Sequence, residues 1–169
     1  STETWHRLQN EFENAGRVLI AVGHMPPNAP RWAVLKEFSE EMGVPVLGDV
    51  ISNILPYDAF VRHHDVFLKA KNEELLASLQ PDLLITLGDS FISKNLKLFI
   101  RKHSPTRHWH IKATEQLIDT FQTLTTQIPV KPTYFFQKLL EDLDYQQFVH
   151  NDGDDDGRGE YRQAWLHAD

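Results

Sequence analysis

Two short runs, Val18–Val22 and Leu83–Leu87, are apolar at every position except Thr86. A strand that faces water on one side alternates apolar and polar residues. One that is apolar throughout must bury both faces, as happens in a parallel sheet covered by helices on either side. The residues between the runs supply such helices. Trp5, Leu8 and Phe12 recur at helical spacing, as do Trp32, Leu35, Phe38 and Met42, a stripe closed by Gly43. Leu75, Leu76 and Leu79 form a third stripe, broken by Pro81-Asp82. Ser93 is placed to cap a helix carrying Leu96, Phe99 and Ile100, with Lys97, Arg101 and Lys102 at its carboxyl end, where cations complement the helix dipole. A last amphipathic helix over 134–143 follows Pro132.

Further strands are expected over 44–47 and 108–111, while 52–71 stays open between a short strand and a helix around 60–68. The pattern predicts an α/β fold: a Rossmann-like open, mostly parallel sheet of five or six strands with helices on both faces. A length of 169 residues suits one such unit. No window approaches the ~20 apolar residues of a membrane span, and the first residues lack a basic-then-apolar signal, so a soluble, cytoplasmic protein with no membrane partner is expected. The chain opens on Ser1 and reads as a segment of a longer protein. A net charge of −7 argues against a nucleic-acid partner. With no cysteine, disulfides, thiolate-bound zinc and cysteine nucleophiles are excluded.

In open α/β sheets ligands bind outside the carboxyl ends of the strands, which directs attention to the loops over 23–30, 48–53 and 88–94. None contains G-x-G-x-x-G or G-x-x-x-x-G-K-[ST]. Gly23 and Gly88 read either as turn glycines or, in the second loop, as part of an anion or effector site made by Gly88, Ser90, Ser93 and Lys94. His108 and His110 share one strand face, with no nearby carboxylate to complete a zinc site, and read as strand-edge or interface side chains. Asp152, Asp154, Asp156 and Gly157 reproduce the first half of a calcium loop. Gln163 stands where the bidentate carboxylate is needed, so a solvated acidic linker is the simpler reading, followed by the first turns of a helix over 161–166. There is no G-x-S-x-G elbow and no carboxylate pair at a pocket-forming spacing, so no catalytic residue is assigned.

Taken in order, Val18-Leu-Ile-Ala-Val-Gly-His-Met-Pro-Pro-Asn28, Pro81-Asp-Leu-Leu-Ile-Thr-Leu-Gly88, Ser93-Lys-Asn-Leu-Lys97, His108-Trp-His-Ile111, Asp119-Thr-Phe-Gln-Thr-Leu-Thr125 and Pro132-Thr-Tyr-Phe-Phe136 resemble the central domain of the 2-succinyl-5-enolpyruvyl-6-hydroxy-3-cyclohexene-1-carboxylate synthases. The resemblance implies a menaquinone-pathway transferase that decarboxylates 2-oxoglutarate on thiamine diphosphate and adds the carbanion to isochorismate, with Mg2+ anchoring the diphosphate. It implies a lead-in helix over 1–16, a central domain over 17–148, and an acidic linker and start of the next domain over 149–169. The flanking pyrimidine- and diphosphate-binding domains of the same chain would be its partners, in a homodimer or tetramer. The glutamate that activates the cofactor and the Gly-Asp motif with its asparagine belong to those flanking domains. Gly88-Asp89-Ser90 matches only the start of that motif, so this segment alone is expected to be inactive and to bind neither cofactor nor metal. Relatives often carry Lys-Arg where Lys94-Asn95 stand, a candidate contact for an anionic effector that Asn95 weakens.

Overall fold

The computed structural model describes residues 1–49, 51–53, 59–69, 72–114, 119–149 and 158–169. The element order is α1 (Thr2–Asn14), β1 (Val18–Val22), α2 (Ala29–Met42), β2 (Val46–Gly48), β3 (Phe60–Val61), α3 (His64–Leu68), α4 (Glu73–Ser78), β4 (Leu83–Leu87), α5 (Lys94–Lys102), β5 (Arg107–Ile111), β6 (Thr126–Ile128), α6 (Pro132–Val149) and α7 (Arg158–Ala168). The six strands form one sheet in the order β3-β2-β1-β4-β5-β6, and every pairing is parallel. The open stretch 52–71 contains both a strand and a helix. β6 has no counterpart in the sequence reading, because Thr126-Gln-Ile is too short and too polar to show a period.

β1 and β4 lie side by side at the centre, with Val18 opposite Leu83 and Val22 opposite Leu87. Alternate side chains of each strand enter opposite layers. Val18, Ile20, Val22, Leu83, Ile85 and Leu87 join Trp32, Phe38, Trp109 and Phe136 in a core roofed by α1, α2 and α6. Leu19, Ala21 and Leu84 join Leu96, Phe99, Ile100, Tyr161 and Trp165 in a second core roofed by α4, α5 and α7. The helix ends follow local chemistry. Asn28, Asn72 and Ser93 each accept a backbone N–H at the start of α2, α4 and α5, and Gly43 closes α2 in the left-handed conformation.

α7 packs against this sheet. Trp165 is fully buried against Phe67 and Phe99. The Tyr161 hydroxyl donates to the Leu79 carbonyl at 2.7 Å, and burial pushes its pKa up. The Arg158 guanidinium donates to the carbonyls of Phe12 and Ala15 and lies over the Phe12 ring, closing the end of α1 with a buried cation whose donors are engaged by carbonyl oxygens. Among the described residues no helix is long and apolar enough to cross a membrane.

Trp165→Ala empties the largest socket in the second core. It is expected to lower unfolding free energy by about 3–5 kcal/mol, seen as a lower urea midpoint at unchanged slope.

Candidate functional site

Chain connections leave β1 in one direction toward β2 and β3, and those after β4 run the other way, so a crevice opens where the loops after β1 and β4 diverge. A cavity of about 400 Å³ lies at that point. Its wall is His24 and Met25 after β1, Gly88 and Asp89 after β4, Lys112 after β5, Arg31 near the start of α2, and Lys131 with Pro132 at the start of α6. Gly88 holds φ +88°, and a Cβ there would stand 2.7 Å from the His24 carbonyl. The two loops touch there, and only glycine permits it. His24 donates its N–H to Ser90 and accepts at its carbonyl from Asp89, locking the loops together.

The cavity is cationic on balance. Lys112 pairs with Asp89 at 2.5 Å, Arg31 donates to the Pro26 carbonyl at 3.1 Å, and Lys131 adds a third positive group. Burial lowers the Arg31 pKa. Two long helices begin at the wall, so the positive ends of their dipoles add to the field.

Of the expected anion-site residues Gly88, Ser90, Ser93 and Lys94, only Gly88 lines this cavity. The backbone N–H groups of Ile92 and Ser93 donate to the carboxylate of Asp49, which is 1% exposed. Ser93 also caps Leu96 and donates its hydroxyl to Asp65 at 2.5 Å. The head of α5 therefore holds an anion of the chain's own, and Asp65 is kept below the usual carboxylate range chiefly by the Ser93 hydroxyl. Ser90 and Lys94 are exposed, and the Asn95 amide donates to the Asp65 carbonyl. The sequence reading missed Asp49, Arg31, Lys112 and Lys131. Asp49 was signalled only by its place directly after a strand, and Lys131 by the proline that opens α6.

The histidine reading needs correction. β5 is flanked by β4 and β6, and His108 and His110 are both buried, so they are internal side chains and not strand-edge or interface ones. The Thr86 hydroxyl lies 2.7 Å from His108 Nε2 and from His110 Nδ1, and His108 Nδ1 lies 2.9 Å from the Thr123 hydroxyl. One polar residue in an apolar strand thus anchors two imidazoles from its neighbour. Burial, and then His110, lowers His108 from 6.5 to about 4; burial, and then Lys112, lowers His110.

The thiamine diphosphate and Mg2+ implied by the resemblance do not match these residues. Asp89 is paired with Lys112, Asn95 is engaged with the Asp65 carbonyl, and among the described residues no three histidines or carboxylates meet in a metal-holding group. The calcium-loop residues Asp152, Asp154 and Asp156 lie outside the described residues.

A family profile described as the middle domain of thiamine pyrophosphate matches residues 2–149. The chain belongs to this middle-domain family. The middle domain is 30% identical over 131 residues to a 2-succinyl-5-enolpyruvyl-6-hydroxy-3-cyclohexene-1-carboxylate synthase of Flavobacterium psychrophilum, covering 78% of this chain and 24% of the relative. It is 32% identical over 145 residues to the synthase of that name from Flavobacterium johnsoniae, covering 82% and 26%. With the Bacteroides thetaiotaomicron synthase the identity is 39% over 84 residues, covering 50% and 15%. The chain thus spans about a quarter of the length of the first two relatives.

The His108 shift has a defined sign. The folded ring stays neutral below the pH at which an unfolded one takes up a proton, so stability is complete above 6.5 and falls as pH drops toward about 4. That gap corresponds to about 3 kcal/mol. Urea midpoints measured from pH 7 to 4 are expected to fall steeply in the wild type and less steeply in His108→Gln.

Proposed function

We propose that this chain is the central, noncatalytic domain of a cytoplasmic, homo-oligomeric thiamine-diphosphate synthase that decarboxylates 2-oxoglutarate and adds the product carbanion to isochorismate. Residues 17–148 are its body, 1–16 its lead-in helix, and 149–169 the connection toward the next domain, with α7 docked on the sheet before the chain leaves. The observation that carries the reading is the profile match over 2–149 together with relatives of which the matched segment makes up only 24–26%. The cofactor's chemistry is carbanion stabilisation, and Mg2+ holds its diphosphate, both on domains beside this one. What these residues do is form a rigid parallel sheet to which those domains attach.

Incubated with 2-oxoglutarate, isochorismate, thiamine diphosphate and Mg2+, the 169-residue chain is expected to give no turnover and no calorimetric heat from thiamine diphosphate. Turnover by this chain alone would overturn the noncatalytic assignment. The full-length gene product should be active under the same conditions.

The cationic cavity at the crevice favours a second reading, in which the domain also holds a nucleotide or another small anionic metabolite. Titration with a panel of nucleotides and phosphorylated metabolites is expected to find a micromolar ligand. Lys131→Gln should weaken it by roughly tenfold, as expected on losing one charge-assisted hydrogen bond. Absence of heat from every member would remove this reading.

A further inference from the structure

Three carboxylates from three elements act by charge on one buried imidazole, that of His64. Asp49, after β2, accepts the Ile92 and Ser93 amides. Asp65, on α3, accepts the Ser93 hydroxyl. Asp169, after α7, accepts the Arg62 amide at 3.1 Å and the His63 amide at 2.6 Å, and so ties the end of α7 to the turn between β3 and α3. His64 itself is 2% exposed, with neither ring nitrogen hydrogen-bonded.

We propose that His64 is an acid-sensitive switch: protonation of its ring draws the Asp169 carboxylate off the Arg62 and His63 amides and breaks the bonds that tie Asp169 to the turn between β3 and α3.

A neutral imidazole tolerates this position because it brings no net charge into the core. A protonated one carries two N–H donors and a charge, and must find acceptors where it stands. The charged groups that act on it are Asp49, Asp65 and Asp169, with His63 opposing them, while α5 meets this cluster with the neutral Ser93 and Asn95. Asp49 is bound at the head of α5 and Asp65 is held by Ser93, so turning either disrupts a helix start. Asp169 bonds backbone amides of the turn between β3 and α3, and a rotation of its side chain is enough to leave them. Burial lowers the ring's affinity for a proton more than the three carboxylates raise it, so the contact holds at neutral pH. Any state in which the ring reaches water binds the proton more tightly and gains population as pH falls below 6.5. His63 acts with the opposite sign. Its Nδ1 lies 3.6 Å from Asp169, and charging it would tighten the contact.

The test uses amide hydrogen-exchange protection factors in the 169-residue chain between pH 7 and 5. Protection of the Arg62 and His63 amides is expected to fall by about tenfold per pH unit at most, the limit for one linked proton, while amides of β1 and β4 hold. The fall should vanish in His64→Phe and persist in His63→Gln. Should His64→Phe fail to fold, nitrogen-15 spectra of the wild-type imidazoles supply the second measurement, and titration of His64 must coincide with the loss of protection. Unchanged protection in the wild type, a fall that survives His64→Phe, one that disappears in His63→Gln, or titration of His64 without change at the two amides would each overturn the proposal.

Discussion

Everything in this fold answers to the two faces of β1 and β4, neither of which meets water. Val18, Ile20, Val22 and their partners on β4 point one way, and Leu19, Ala21 and Leu84 the other. Each layer has to be roofed separately, and the crossovers between parallel strands deliver the helices that do it. The burial is of the order that decides stability, since a fully buried Leu or Ile side chain contributes about 1.5–3 kcal/mol. Placing β1 and β4 side by side at the centre also makes the crevice, because the loops leaving them turn in opposite directions.

Polar groups inside the two layers are few, and most of them connect elements. Thr86 joins β4 to β5 through two imidazoles, and Asp49 joins β2 to the head of α5. Arg158 joins α7 to the end of α1. Each linkage is made by hydrogen bonds that offset much of its desolvation cost, although His110 Nε2 stays buried without a partner, and removing one member would strand the other. The head of α5 illustrates the consequence for function. A site that reads in sequence as an anion cradle is occupied by the chain's own carboxylate, and the positive field that faces solvent is one crevice away, between Arg31, Lys112 and Lys131.

The family relationship accounts for the well-packed parallel sheet. The cationic crevice, the buried histidines and the docked α7 are features of this domain itself, whichever chain surrounds it.

The residue order alone determined the helices and strands with strong periods, the parallel sheet buried on both faces, and the family. Those follow from local patterns: apolar runs such as Leu83–Leu87, the stripe from Trp32 to Met42, and the caps at Ser93 and Gly43. β6 escaped notice because three residues with one buried side chain carry no period. Tertiary structure decided which distant groups meet. Asp49 lies more than forty residues from Ser93, Asp169 more than a hundred from His63, and Arg158 more than a hundred and forty from Phe12. No local pattern encodes such pairs. Carboxylates and guanidinium groups read as surface residues until folding removes water from around them, and only then do the few available partners fix where each must lie.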